Sequence, residues 1–220
     1  MNFLLIPVKN LEFANERLSS VLSQEDRTAL AYEMLKDVFE AASSSTLPDK
    51  IAVVTLDKNA MHMADKLDFV IIDEENQESE SSSVDYALKV CKEMGAESVL
   101  VIPGDAPLIT AQDIDFVMGK VKDYPHVIMV PAADKLGTNA ILRKPPDAIT
   151  SMFGHDSFRK HKEQADNKNI PYEVYELPNI ALDIDEPADI EQLKTHGSHT
   201  RAYRELIRLG LIKEEIEKTG

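Results

Sequence analysis

Residues 98–109 read Ser-Val-Leu-Val-Ile-Pro-Gly-Asp-Ala-Pro-Leu-Ile, and no other stretch limits the available folds as strongly. Val99 to Ile102 form a short apolar run rich in β-branched residues, the composition of a strand covered on both faces. Pro103-Gly104 stops the run and Asp105 follows at once, so a carboxylate stands at the carboxyl end of a central strand. Ligands bind along that edge in open α/β sheets. Two readings fit Asp105. It is an oxygen ligand for a hard cation on a rigid strand end, or a turn residue that caps the next segment.

Strand and helix patterns alternate on either side of this stretch. Strands are predicted at Phe3 to Val8, Ile51 to Thr55, Phe69 to Ile72, Val127 to Val130 and Tyr172 to Leu177. Ser23 predicts a helix N-cap, followed by an apolar stripe at Leu30, Met34, Leu35, Val38 and Phe39. Further helices are predicted at Met61 to Leu67, Val84 to Met94, Ala111 to Lys122, Met152 to Asn167 and Ala188 to Thr195. Gly95 stops the second of these, and Pro187 suits the first turn of the last. Asp73 to Ser83 carries no apolar residue and is predicted as a loop. This alternation implies right-handed βαβ units and a parallel sheet. One domain over residues 1–196 is expected, with a C-terminal helical extension over 197–220 that packs on the domain or on a partner subunit.

Composition narrows the function. The 220 residues carry a net charge of −15, which argues against a nucleic-acid partner because that needs a basic footprint. A nucleotide is less disfavoured, since a divalent cation and a few basic residues can neutralise it locally. No apolar run is long enough to span a membrane, and the first residues lack the basic start of a signal peptide. The single cysteine, Cys91, forms no internal disulfide, so a cytoplasmic setting is expected.

Several groupings could carry chemistry. Asp183 and Asp185 flank Ile184, and in an extended segment residues two apart face the same way. With Asp105 they could offer oxygens to Mg²⁺, or Asp185 caps the following helix and Asp183 is solvated. Lys9 and Arg17 follow the first strand, either as fixed cations for a polyphosphate leaving group or as solvated surface charges. There is no Walker A sequence, and no glycine-rich dinucleotide fingerprint follows the first strand. Gly137-Thr138-Asn139 and Gly154-His155-Asp156-Ser157 place hydroxyls beside glycine, as loops that grip a small phosphorylated acid would, or as ordinary turns. Ser157 and His161 suggest acyl transfer, but no nucleophile elbow surrounds the serine.

Together these segments resemble a known family. Pro7-Val8-Lys9, Arg17-Leu18, Asp105-Ala-Pro-Leu, Gly137-Thr138-Asn139, Phe153-Gly154-x-x-Ser157-Phe158-x-x-His161 and Leu182-Asp183-Ile184-Asp185 are similar to motifs of the guanylyltransferases of deazaflavin coenzyme (F-420) biosynthesis. The resemblance implies a single-domain, Rossmann-like nucleotidyltransferase fold with a mixed, mostly parallel sheet flanked by helices. It implies transfer of GMP from GTP to 2-phospho-L-lactate or phosphoenolpyruvate, with Mg²⁺ on Asp105, Asp183 and Asp185. Thr138, Gly154 and Ser157 match positions that hold the acid. Lys9 and Arg17 match basic residues near the triphosphate, and with Asp105 they are the expected catalytic residues. A homodimer is also expected.

The sequence departs from the family pattern twice. Ala14-Asn15-Glu16-Arg17-Leu18 stands where the family carries an Ala-Lys-x-Arg-Leu pattern, so one cation is absent. Ser83-Val84-Asp85 replaces Gly-Leu-Asn. There Asp85 either accepts hydrogen bonds from guanine or is an acidic charge at a helix start. Two alternatives keep the fold but change the function: another nucleotide or a sugar-phosphate acceptor, or a non-catalytic nucleotide-binding relative.

Overall fold

The side chains of β1 (Asn2–Val8) alternate between two hydrophobic clusters, as strand geometry requires. Phe3 and Leu5 enter one cluster, and Leu4, Ile6 and Val8 enter the other. A strand that is apolar on both faces belongs in the middle of a sheet covered on both sides. The computed structural model describes residues 1–74 and 76–213 and has this three-layer form.

The strands are β1, β2 (Lys50–Thr55), β3 (Val70–Asp73), β4 (Ser98–Val101), β5 (His126–Pro131), β6 (Thr138–Lys144) and β7 (Tyr172–Val174). They form a seven-stranded sheet in the order β3-β2-β1-β4-β6-β5-β7. β1 runs parallel to β2 and β4, β2 is parallel to β3, and β5 is parallel to β7. Only β6 runs antiparallel to its neighbours. Residues 132–137 join β5 to β6 directly, too short a link for the crossover a parallel pair needs. The sheet is therefore mixed and mostly parallel, as the family resemblance implied, with β6 departing from the βαβ rhythm.

α1 (Gln24–Ser44) buries Leu30, Met34, Leu35, Val38 and Phe39 on one face of the sheet, with Ser23 as its side-chain N-cap. α2 (Lys58–Asp65) connects β2 to β3, and α4 (Ala111–Met118) packs on the α1 side. α3 (Glu80–Glu93) covers the opposite face through Val84, Ala87, Leu88 and Cys91, and α5 (Ser157–Asn167) joins it there. α1 and α3 thus lie on opposite faces of the sheet, and the chain winds outward from β1 and β4 in two directions. That is a topological switch point, and it opens a crevice at the carboxyl ends of those two strands.

α3 begins at Glu80 because Ser79 caps it, so the predicted loop ends four residues early. α5 starts only at Ser157, because Gly154 and Asp156 hold left-handed backbone that no helix can contain. β7 ends at Val174, short of the predicted Leu177; a single helical turn, α6 (Pro178–Ala181), follows, and α7 (Pro187–His196) carries Pro187 in its first turn. α8 (Arg201–Arg208) lies on α1, where Asp37 accepts hydrogen bonds from the N–H groups of Arg201 and Ala202 at 2.8 and 2.9 Å. Ala202, Leu206 and Ile212 enter the same core as α1, so the described part of the extension is built into the domain. The remainder of the predicted terminal helix lies outside the described residues.

Candidate active site

The crevice at the β1–β4 switch point is lined by Lys9, Asn15, Glu80, Ser83, Asp105 and Asp185, among others. Asp105 reaches it because Pro103 and Gly104 turn the chain out of β4. The close packing at Gly104 explains the glycine, since a Cβ there would press on Leu35 at 3.3 Å. The main-chain carbonyl of Asp105 accepts from the N–H of Ile184 at 3.1 Å. This one bond ties the segment 183–185 to the end of the central strand. Ile184 is fully buried, so its two flanking aspartates turn outward beside Asp105.

Carboxylates are crowded here. Burial, then the charges of Asp183 and Glu80, push the Asp105 carboxyl up to about 7, while Lys9 pulls it down. Burial also raises Asp185, although Arg17 opposes this. Asp183 accepts from the Asn139 side-chain amide at 3.0 Å. Asp185 is drawn aside by the Arg17 guanidinium at 3.0 Å, which also reaches Glu186 at 3.1 Å. Lys9 lies 3.5 Å from Glu80. Among the described residues, no three His, Cys, Asp or Glu side chains converge closely enough to hold a metal ion as they stand. The donor set is nevertheless one of hard oxygens whose mutual repulsion Arg17 and Lys9 offset only in part, which suits a hard divalent cation.

The loop after β1 is held by two residues that the sequence did not single out for the site. Asp57 caps α2 and also accepts from the N–H of Leu11 at 3.0 Å. The Gln77 amide donates to the Val8 carbonyl and accepts from the Asn10 N–H, each at 3.2 Å. Asp57 was visible as a polar residue after a strand, but nothing in the sequence paired it with Leu11, 46 residues away.

Of the second group of predicted residues, Thr138 and Ser157 lie with His161 in a separate buried cluster, while Gly154 is exposed. The Ser157 hydroxyl accepts from the Thr138 N–H at 2.9 Å, and the Thr138 hydroxyl meets His161 Nδ1 at 3.0 Å. His161 Nε2 accepts from the Met152 N–H at 2.9 Å, so the ring proton belongs on Nδ1 and is donated to Thr138. Burial, reinforced by the charge of Arg143, pushes His161 down to about 3 and keeps it neutral. Both ring nitrogens and the Ser157 hydroxyl are engaged inward, which removes the acyl-transfer reading of this pair. Gly154, at φ +101°, has open space where a side chain would stand.

The family model described as guanylyl transferase CofC like matches residues 2–219. The chain belongs to this family. Among its relatives is the phosphoenolpyruvate guanylyltransferase of Conexibacter woesei, 33% identical over 87% of this chain and 86% of the relative. Another is the 2-phospho-L-lactate guanylyltransferase of Methanobrevibacter smithii, 31% identical over 96% of this chain and 92% of the relative. Solved structures show the same fold at low identity. A Desulfovibrio desulfuricans G20 protein assigned as a nucleotide-diphospho-sugar transferase has a TM-score of 0.74 at 14% identity, covering 96% of this chain and 95% of that one. A cytidylyltransferase of Leptospira borgpetersenii has a TM-score of 0.62 at 16% identity, covering 94% and 92%.

Both departures from the CofC-like pattern have a structural setting. Asn15 has φ +54°, a left-handed conformation that asparagine tolerates better than lysine does. Asp85 does not line the crevice. Its carboxylate accepts from the Ser151 N–H at 2.9 Å, and Ser83 lines the crevice in its stead. Nor is Asp85 a charge in the first turn of α3, because that helix starts five residues earlier than Asp85.

Proposed function

We propose that this chain transfers GMP from GTP to the phosphate of phosphoenolpyruvate or 2-phospho-L-lactate, within deazaflavin coenzyme biosynthesis. Family membership supports guanylyl transfer. The observation that supports the assignment to the crevice is the Ile184–Asp105 backbone bond, which ties the segment 183–185 to the end of the central strand, where Lys9, Asp105 and Asp185 line the crevice.

A phosphate oxygen of the acid attacks the α-phosphorus of GTP in line with the leaving pyrophosphate. One P–O bond forms as the bond between the α- and β-phosphates breaks, and pyrophosphate departs with the electron pair. The nucleophile is already an anion, so no side chain has to take a proton. Asp105, Asp183 and Asp185 would hold Mg²⁺, which supplies charge neutralisation and orientation of the phosphates. Lys9 and Arg17 place positive charge where the leaving group gathers its negative charge. Arg17 must leave Asp185 and Glu186 to do so, and its side chain is two-thirds exposed, so that ion pair holds it only weakly. By the family resemblance Thr138, Gly154 and Ser157 would hold the acid; the Thr138 and Ser157 hydroxyls are turned inward, which leaves the exposed backbone at Gly154 to meet the anion.

Pyrophosphate release with GTP, ATP, CTP or UTP against both acids tests this. GTP with at least one acid is expected to react. Reaction only with another nucleotide or a sugar phosphate would replace the proposal by that activity, and release with no combination would leave a binding protein. We further propose a cytoplasmic homodimer. A monomer mass by light scattering would reject the dimer.

A further inference from the structure

Arg143 is fully buried in β6, between Val99 of β4 and Val127 of β5, on the face covered by α3 and α5. A guanidinium in that position is costly. Among the described residues its Nε and Nη1 have no hydrogen-bond partner, and an apolar side chain would fill the place at lower cost. Its one hydrogen bond runs from Nη2 to the Ser151 hydroxyl at 3.0 Å. Ser151 is also buried, and its N–H donates to Asp85 at 2.9 Å. The neighbouring Met152 N–H is taken by His161, which continues to Thr138 and Ser157. Ser151 is therefore gripped from β6 and from α3. It is the first residue of the strap 151–157, which carries Gly154 and ends at Ser157.

We propose that Arg143 and Asp85 are positioning residues for the acid substrate: they clamp Ser151 and so set the place of the Gly154–Ser157 loop, without touching the nucleotide. This rests on the assignment of that loop to the phosphorylated acid. It explains why a costly charge is kept in the core. It also gives Asp85 a role away from the nucleobase. Asp85 accepts the Ser151 N–H, and its negative charge favours the charged form of the Arg143 guanidinium against the cost of burial.

The test is steady-state kinetics of Arg143→Met and Ser151→Ala with GTP and either phosphoenolpyruvate or 2-phospho-L-lactate, with thermal melting alongside. Each variant loses the same hydrogen bond to a charged group, so KM for the acid is expected to rise roughly tenfold while KM for GTP stays unchanged. The double variant is expected to be no worse than the worse single one, because both break one contact. Ser151→Ala leaves the buried guanidinium without its hydrogen bond, so the double variant, which removes charge and partner together, keeps the inference testable if either single variant fails to fold. Unchanged acid KM in Ser151→Ala, or equal rises for acid and GTP, would overturn the clamp while leaving guanylyl transfer in place. A wild-type protein that transfers guanylyl to neither acid would remove both the functional assignment and this role.

Discussion

At the residue scale, the site is defined by charges that the fold leaves unbalanced. The Asp105 carboxyl is raised from 3.8 to about 7 by burial and by Asp183 and Glu80. Below about pH 4 both folded and unfolded chains hold this proton. From there to about pH 7 the folded chain holds it and the unfolded chain does not, so this group makes stability fall as pH rises through that window. Asp105→Asn is therefore expected to melt above wild type at about pH 8 and near it at about pH 4. Mg²⁺ is expected to raise the wild-type melting temperature more at about pH 8 than at about pH 5, because the metal competes with the proton. Equal increments at both values would contradict that competition. His161 acts in the opposite direction. Its pKa falls from 6.5 to about 3 on folding, so it favours the folded state at neutral pH and that contribution is lost as pH drops below about 6.5. Ser157→Ala leaves the buried Thr138 N–H without an acceptor, and urea denaturation should show a loss of about 1–3 kcal/mol. The aspartates, Lys9 and Arg17 could be read from the sequence because each follows a strand or flanks a buried residue. Asp85 could not be read, because its position depends on a helix start that only the Ser79 cap fixes.

At the scale of elements, β1, β2, β4 and α1 were legible because their apolar periodicity decides them alone. The direction of β6 was not legible. Direction depends on how short the turn from Pro131 is and on which neighbour β6 finds, and a single segment holds neither fact. The start of α5 was misplaced because Met152 and Phe153 continue a helical pattern that Gly154 and Asp156 then interrupt. α8 shows how an element can depend on one distant side chain. Asp37 satisfies its first two N–H groups, so Asp37→Ala should cost about 1–2 kcal/mol by urea denaturation. No change would show that the helix docks through Ala202 and Leu206 alone. Cys91 on α3 is completely buried, and burial pushes its thiol up to about 12. It should react with a thiol reagent only when the protein unfolds.

At the scale of the molecule, a chain of net charge −15 lines its crevice with Lys9 against Glu16, Glu80, Asp105 and Asp185, so an anionic substrate there would need a divalent cation beside it. No helix among the described residues is long and apolar enough to cross a membrane. The α/β class was legible from the alternation of segments. The crevice was not, because a switch point appears only when α1 and α3 are seen on opposite faces of the sheet. The most direct test of the account is the rate of pyrophosphate release from GTP, Mg²⁺ and phosphoenolpyruvate or 2-phospho-L-lactate by Asp105→Asn, with its fold checked by circular dichroism. A fall of about a hundredfold, roughly 3 kcal/mol of barrier, is predicted. A folded Asp105→Asn protein that turns over at the wild-type rate would contradict the placement of the reaction in this crevice.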